Sequence, residues 1–411
     1  MKNTLMRTIL AAAGIIVGLY SIPAAADNFY DPPANVADYP VGGLIRSELV
    51  TDLDTATFHG KQAYRIMYRS IGVTGDAIAM TGIVIVPDTA PPAGGYDMVV
   101  WAHGTSGVGD DCAPSKYGDL WPMHVWQGTW SYGQAANSLA DQGYLTVAVD
   151  YEGLGTPGIH PYLNLRSESK AIIHGAMAAM ELFSGSTSGK VASVGHSQGG
   201  QATVAAGEYN TALRLAGEPH VDYVGAVSLA GLGDVEPMVD IIAQASDKNS
   251  FPYIGYFAAA AQSIDPNLDF YAFAGPIFDE TQAKTLCWDD WFGLYDNDNQ
   301  PHPPEDIVNP DWAQNPSLIA YMAQTKMLGT AIDAPVLLQY STHDYSTYPL
   351  ADQFVTALCA TPGNVVERAD YQGGNHDIIL SRAWPLTLSW LEDRFAGVAV
   401  DPANNLCAAN P

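Results

Sequence analysis

Short β-rich segments alternate with longer helical segments along most of this chain, and this alternation restricts the possible folds more than any other feature. The strand-like segments are 64–69, 80–86, 98–102, 145–149, 191–194, 224–229, 336–340 and 365–368. The helical segments are 131–142, 167–182, 198–215, 350–358 and 383–395. Short apolar runs are typical of strands buried inside a parallel sheet. The order strand, helix, strand, helix therefore predicts an α/β fold with a mostly parallel, doubly wound sheet, and the first two segments are expected to form an antiparallel pair at its edge.

One long segment interrupts the alternation. Residues 234–327 are rich in aromatic residues, proline and alanine, and they include helical stretches such as 256–263 and 318–328. Because strand-like segments resume at Val336, we expect 234–327 to be an insertion that forms a mainly helical cap over one end of the sheet. The alternative is a separate downstream domain.

The first 26 residues have the pattern of a secretory signal peptide. Lys2 and Arg7 precede an apolar run that ends in three alanines, and cleavage is expected after Ala26. An uncleaved anchor helix is the less consistent alternative, because the run is shorter than the roughly 20 residues that span a bilayer. We therefore expect a secreted or periplasmic protein with no integral membrane association after cleavage. Its core would consist of residues 27–233 and 328–411.

The chain is acidic mainly because it has few cations. Its 44 Asp and Glu residues face only 17 Lys and Arg residues, so the formal charge is -27. This balance repels phosphate backbones and anionic membrane surfaces, so no nucleic-acid partner is expected. A neutral or cationic partner is compatible with this balance.

A candidate nucleophile follows the strand-like segment 191–194. The sequence from Gly195 to Gly199 fits the pattern G-x-S-x-G around Ser197, with a helical segment directly after it. A nucleophile elbow requires a strand, a tight turn and a helix, with small residues beside the serine because the turn crowds its neighbours. We therefore predict that Ser197 is a catalytic nucleophile; the alternative is a glycine-rich structural turn.

A serine nucleophile needs a base and an acid, which follow it along the chain in this arrangement. Asp344 lies in the loop after segment 336–340, and His376 lies in a glycine-containing loop after segment 365–368. We predict that Asp344 is the acid and His376 the base. The competing acids Asp333 and Asp352 are less well placed, the first before the strand and the second on a helix surface.

The oxyanion formed during acyl transfer needs two fixed donors. One should be the backbone N–H of Gln198, the residue after the nucleophile. The other should come from the loop after segment 98–102, where we choose Thr105, with Ser106 as the alternative because the register is open by one residue. Tyr151 follows another strand at the same end of the sheet and is a candidate for contact with substrate.

Four cysteines follow the signal peptide, namely Cys112, Cys287, Cys359 and Cys407. An even count in an oxidising compartment favours two disulfides, for which three pairings are possible. Their spacings match no zinc pattern. The acidic segment 296–306 could ligate calcium, but it lacks the turn residues of an EF-hand and is interpreted as a solvated loop, so no metal site is expected.

Several of these motifs together resemble the secretory lipase family of α/β-hydrolases, the fungal lipase A type and its bacterial relatives. The motifs are the segments 195–199, 103–107, 111–115 and 150–155, and the resemblance extends from about residue 44 to residue 407. It implies the α/β-hydrolase fold, hydrolysis of acyl esters outside the cell, and a helical cap over the acyl pocket. The same triad of Ser197, Asp344 and His376 is implied.

The resemblance also implies a disulfide pairing, Cys112 with Cys287 and Cys359 with Cys407. The first disulfide would join the loop after segment 98–102 to the cap. The His-Gly-Thr start of that loop is the bacterial style, whereas fungal lipases differ there, so triglyceride lipase activity is not implied.

We therefore expect a serine hydrolase of carboxylic esters, a lipase or carboxylesterase that acts through an acyl-enzyme on a small-molecule or lipid ester and needs no cofactor. The alternatives are a peptidase or amidase on the same fold and a non-catalytic secreted binding protein. The sequence leaves acyl length, alcohol moiety and oligomeric state open.

Overall fold

The structure is a computed structural model that describes residues 28–120, 131–244, 250–296 and 302–408. The predicted signal peptide, 1–26, lies outside the described residues. No helix within the described ranges is both long enough and apolar enough to span a bilayer.

A single nine-stranded sheet organises the described part of the chain, with strand order β1-β2-β3-β5-β4-β6-β7-β8-β9. The strands are β1 (Leu44–Leu49), β2 (Ala63–Ile71), β3 (Ala77–Ile85), β4 (Tyr96–Ala102), β5 (Leu145–Val149), β6 (Thr187–His196), β7 (Asp222–Leu229), β8 (Val336–Ser341) and β9 (Val366–Tyr371). Strands β1, β2, β3 and β5 pair antiparallel in that order, and all pairs from β5 through β9 are parallel. The parallel strands end at one edge of the sheet, and their loops are therefore brought together there.

Helices cover both faces of this sheet. Outside the segment between β7 and β8 they are α1 (Thr55–Phe58), α2 (Tyr132–Asp141), α3 (Leu165–Leu182), α4 (Gln198–Ala216), α11 (Ala351–Cys359) and α12 (Ile379–Phe395). Along β4, Val100 packs in the cluster that contains α3, α4 and α11, whereas Val99 and Trp101 pack in the cluster that contains α2 and α12. This alternation follows from the period of two in a strand. The predicted doubly wound α/β sheet is confirmed.

The N-terminal strand β1 is the one strand of the described sheet that the sequence pattern did not predict. Its first three residues are half-buried and its last three exposed, because it pairs only with β2 and forms the sheet edge. A strand with so little buried surface has no apolar alternation from which it can be recognised.

The segment between β7 and β8 is mainly helical in its described part. Its helices are α5 (Glu236–Gln244), α6 (Pro252–Ile264), α7 (Glu280–Thr285), α8 (Trp288–Asp296), α9 (Pro304–Ile307) and α10 (Pro316–Gln324). They share an aromatic cluster that includes Tyr256, Phe257, Phe273 and Trp291. We call this segment the cap. The predicted insertion bounds of 234–327 stay a prediction. The predicted division of the chain into a core and this insertion also stays a prediction.

Candidate active site

Ser197 lies at a sharp turn between β6 and α4. Its backbone has φ 55° and ψ -116°, a conformation that a residue with a side chain rarely adopts. The backbone N–H of Ser197 donates to the carbonyl oxygen of Leu229 on β7 (2.8 Å), which holds the turn against the neighbouring strand. Strain of this kind persists only where the surroundings enforce it, and it is concentrated at functional sites.

Close packing explains why the second residue after Ser197 is a glycine, Gly199. A Cβ atom at Gly199 would lie 2.0 Å from the carbonyl oxygen of Ala102 and 2.7 Å from that of His103. Both contacts are with backbone, which has little freedom to move. The first turn of α4 therefore lies directly against the end of β4, and the loop after β4 is placed beside Ser197.

The three predicted triad residues are brought together from the ends of three strands. The Oγ atom of Ser197 lies 2.8 Å from Nε2 of His376, and Nδ1 of His376 lies 2.7 Å from Oδ2 of Asp344. A carboxylate can only accept a hydrogen bond, so Nδ1 carries the proton toward Asp344. When the ring is neutral, the lone pair of Nε2 therefore faces the hydroxyl group of Ser197.

Asp344 is held by hydrogen bonds from the start of its own loop. Its Oδ1 atom accepts from the backbone N–H of Ser346 (3.0 Å), the hydroxyl of Ser346 (2.6 Å) and the backbone N–H of Thr347 (3.1 Å). The hydroxyl of Thr347 donates to Oδ2 (2.5 Å). Burial alone would raise the pKa of Asp344, but the imidazolium form of His376 and these donors hold it well below its usual range, so the carboxyl group is ionised.

The interaction with Asp344 also sets the pKa of His376. Burial alone would lower the pKa of the His376 imidazole, but the charge of Asp344, its hydrogen bond and the nearby carboxylate of Asp377 raise it above the usual value. The side chain of His376 retains 22% of its accessible surface, whereas that of Asp344 retains 1%. The base thus faces the accessible side of the site and the acid lies beneath it.

The peptide group between Ser197 and Gln198 has a fixed direction. The carbonyl oxygen of Ser197 accepts from the backbone N–H of Gly200 (2.9 Å) and from that of Gln201 (3.3 Å). Since the N–H and C=O of a trans peptide point in opposite directions, the N–H of Gln198 points out of the N-terminal end of α4. Within the described ranges no acceptor takes this N–H, so it can donate to an anion beside Ser197.

The loop after β4 supplies the second candidate donor. Thr105 and Ser106 are both buried there, and the carbonyl oxygen of Ser106 accepts from the backbone N–H of Trp288 in the cap (2.9 Å). Among the described residues, no acceptor takes the backbone N–H of Thr105 or that of Ser106. The choice between these two residues therefore stays open.

Tyr151 is placed differently from its predicted role in substrate contact. It has no accessible surface, and its hydroxyl donates to the carbonyl oxygen of His103 (2.8 Å) at the start of the loop after β4. Its ring also packs against the ring of His103, with 4.4 Å between centroids. Tyr151 therefore braces that loop, and we do not carry the expectation of substrate contact further.

Two residues near the site, His160 and Glu168, were not singled out from the sequence. Both are fully buried, and both bind the side-chain amide nitrogen of Gln198, each at 2.7 Å. His160 has no sequence signal. Glu168 has one, because it lies on the same face of α3 as Leu165 and Ile172, at helical spacing, and an acidic residue on a buried apolar stripe marks a polar contact inside the core.

Both disulfides form with the connectivity that the resemblance implies, Cys112 with Cys287 and Cys359 with Cys407. The first joins the loop after β4 to the start of the cap helix α8. The second joins the end of α11 to the C-terminal segment. Among the described residues there is no group of three or more His, Cys, Asp or Glu side chains arranged to hold a metal ion.

The fold and the arrangement of this site define a protein of the α/β-hydrolase class. The family model described as the alpha/beta hydrolase family matches residues 99–385, and the chain belongs to this family. Among functionally curated proteins, no sequence match is found.

Solved structures of similar fold include Candida antarctica lipase A in its closed state, with a TM-score of 0.72, 18% identity, and coverage of 91% of this chain and 87% of that one. The rice cell wall degrading esterase LipA from Xanthomonas oryzae matches with a TM-score of 0.63, 23% identity, and coverage of 87% and 97%. A hydrolase from Legionella pneumophila, described as putative, matches with a TM-score of 0.66, 18% identity, and coverage of 87% and 100%. At these identities the likeness is one of fold, and together with the family match it confirms the predicted α/β-hydrolase fold.

Proposed function

We propose that this protein is a secreted or periplasmic serine hydrolase that cleaves carboxylic esters through an acyl-enzyme intermediate. The observation that carries the proposal is the continuous contact from Ser197 Oγ to His376 Nε2 (2.8 Å) and from His376 Nδ1 to Asp344 Oδ2 (2.7 Å). A serine hydroxyl is a poor nucleophile by itself and is activated by a base that a third group orients. This site contains all three groups, each within hydrogen-bonding distance of the next.

In the first half of the reaction, Ser197 Oγ attacks the ester carbonyl carbon while its proton passes to Nε2 of His376. Asp344 stabilises the resulting imidazolium, and the backbone N–H groups of Gln198 and of Thr105 or Ser106 bind the oxyanion. The bond from carbon to the alcohol oxygen then breaks, and His376 gives its proton to the leaving alcohol. The acyl group remains on Ser197.

In the second half, water replaces the alcohol. His376 takes a proton from the water, whose oxygen attacks the acyl carbon, and the intermediate again places its negative charge on the same amides. Collapse breaks the bond to Ser197 Oγ, which recovers the proton from His376. The carboxylic acid leaves and the site returns to its starting state without a cofactor.

Export is supported by the cysteines and the N-terminal sequence. The four cysteines are all paired in two disulfides, which form and persist in oxidising compartments.

The acidic surface favours a neutral ester over an anionic one, because a chain of formal charge -27 repels anions.

Turnover of p-nitrophenyl esters of increasing acyl length, beside a matched p-nitroanilide, tests the proposal. We expect ester turnover with little or no anilide turnover, and Ser197→Ala should lower kcat by about 10⁶-fold. The matched control is Ser228→Ala, because Ser228 is a buried serine on β7 whose hydroxyl has no partner among the described residues. Preferential anilide cleavage would instead indicate an amidase, and full ester turnover by the Ser197→Ala protein would contradict the proposed mechanism.

A further inference from the structure

The side chain of Gln198 makes two buried hydrogen bonds, although only its backbone N–H is expected to bind the oxyanion. Its Nε2 atom lies 2.7 Å from Nε2 of His160 and 2.7 Å from Oε1 of Glu168. An amide nitrogen carries two hydrogens, so both are used. The side chain of Gln198 is only 2% exposed and therefore cannot exchange these partners for solvent.

The protonation of His160 follows from its neighbours. Its Nδ1 atom lies 2.9 Å from the carbonyl oxygen of Glu152, which only accepts, so Nδ1 carries the hydrogen. The Nε2 atom then has a lone pair and accepts from Gln198. Burial lowers the pKa of His160 to about 3, which is consistent with a neutral ring at neutral pH.

Glu168 is the second residue that holds the side chain of Gln198. It lies on α3 with no accessible surface, and the one ion-pair candidate within 4.0 Å of it in the described part of the chain, His160, lies 3.7 Å away and is neutral. Burial raises the pKa of the Glu168 carboxyl well above its usual range, and its Oε2 atom has no hydrogen-bond partner among the described residues, so burying this polar group costs stability. Its contact with Gln198, directly behind the nucleophile, offers a functional reason for that cost.

The residues that hold the side chain of Gln198 are also connected to the loop after β4, which carries the second candidate donor. The ring of His160 stacks on the ring of Tyr151, with 5.4 Å between centroids and 14° between planes. The hydroxyl of Tyr151 in turn donates to the carbonyl oxygen of His103, in the loop that carries Thr105. The two candidate donors are thus joined by one buried set of contacts.

We propose that Glu168 and His160 are positioning residues: through the side chain of Gln198 they fix the direction of its backbone N–H, which binds the oxyanion. This inference rests on the proposed function. Neither residue touches the reacting atoms. The rotation of the Gln198 peptide depends on the backbone of two residues, one of which is the strained Ser197, and the anchored side chain restricts the other.

The test compares Glu168→Leu, Gln198→Met and the double variant. Each single variant removes contact between the two residues while keeping similar volume, and we expect kcat to fall about 10- to 100-fold with KM within about twofold. This is less than the loss of a whole oxyanion donor, which costs about 10²- to 10³-fold. Because both changes act on one contact, the double variant should fall no further than the worse single variant.

A second readout separates positioning from a merely structural role. An alkyl trifluoromethyl ketone forms a reversible hemiketal with a catalytic serine and places an oxyanion in the site. Its inhibition constant should rise in Glu168→Leu by the same factor as kcat falls, whereas the inhibition constant of the corresponding simple alcohol should not change. Glu168→Gln, which keeps an oxygen acceptor, should restore most of the activity.

Ser169→Ala is the matched control, since Ser169 is the next residue on α3, is fully buried and has a hydroxyl without a partner among the described residues. It should have wild-type kcat and wild-type inhibition. If Glu168→Leu does not fold, Gln198→Met alone carries both readouts. Wild-type ketone inhibition in Gln198→Met, or multiplicative effects in the double variant, would overturn the positioning role while wild-type ester turnover still supports the proposed function; absence of turnover in the wild-type protein would overturn both.

Discussion

The imidazole of His196 donates from Nε2 to the backbone carbonyl oxygen of His376, at 2.9 Å. The residue before the nucleophile therefore holds the loop that carries the base. The donor assignment is unambiguous because a carbonyl oxygen only accepts, and Nδ1 of His196 is left to accept from the hydroxyl of Tyr132 (3.1 Å). Burial, with a smaller contribution from His376, lowers the pKa of His196 to about 3, so this ring stays neutral over the working pH range.

Loss of this contact should impair catalysis more than folding. In His196→Leu the His376 carbonyl loses its donor and the base loop can shift, and a displacement near 1 Å lowers rate by about 10²-fold. Tyr132→Phe removes only the outer hydrogen bond and should cost about 1 kcal/mol of stability. Steady-state kinetics and thermal unfolding of both variants check this, and wild-type kcat in a folded His196→Leu protein would count against it.

The pH dependence of kcat/KM should report the pairing of His376 with Asp344. The base must be neutral to accept the serine proton, so activity falls as the pH drops through the pKa of His376. Because Asp344 raises that pKa despite burial, the midpoint of the acid limb should lie above the usual value of 6.5.

In Asp344→Asn the charge is lost while burial remains, so the acid limb should move to lower pH. The rate itself should fall by about 10⁴-fold, because the amide group of asparagine can donate to Nδ1 and so favours the tautomer of His376 that cannot accept the serine proton. Profiles measured from pH 5 to 10 for both proteins provide the comparison. An unchanged midpoint in the variant would mean that Asp344 does not set the basicity of His376.

Two helical glycines should respond oppositely to alanine. At Gly199 a Cβ would lie 2.0 Å from the Ala102 carbonyl oxygen, so Gly199→Ala must displace backbone at the elbow and should lower both stability and kcat. At Gly293 in α8 nothing lies within 4 Å, and alanine there should stabilise the protein by about 0.5–1 kcal/mol. Denaturant unfolding of the two variants tests the contrast, and equal stability changes would argue against the close packing of α4 on β4.

The two disulfides should differ in their contribution to stability. Cys112 and Cys287 are 175 residues apart, and Cys359 and Cys407 are 48 apart. Loop-closure entropy predicts upper estimates of about 5 and about 4 kcal/mol, respectively. Replacement of each pair by serine, followed by unfolding in guanidinium chloride, should show the larger loss for the first pair. The reverse order would show that loop length does not govern their effects.

The parts of the site that could be predicted from the sequence are those marked by a local motif or by their order along the chain. Ser197 lies in a five-residue pattern with a strand before it and a helix after it. Asp344 and His376 could be located because each follows a late strand, and strand ends meet at one edge of a parallel sheet. Their contact distances confirm that geometry in the structure, while their catalytic roles await experiment.

The rest depends on packing between distant segments. Tyr151 follows a strand at the correct edge, yet its ring is directed into the core, and no local pattern distinguishes the two cases. Glu168 and His160 meet Gln198 from 30 and 38 residues away in sequence. The choice between Thr105 and Ser106 depends on the exact path of one loop, which neither periodicity nor composition determines.

The most direct test of the account is covalent labelling of the nucleophile. A fluorophosphonate probe at pH 8, followed by proteolysis and mass spectrometry, should place a single adduct on the peptide that contains Ser197. The adduct should be absent in Ser197→Ala and should form far more slowly in His376→Ala. Labelling at another serine, or labelling of Ser197 at the wild-type rate without His376, would contradict the claim that these two residues form one catalytic unit.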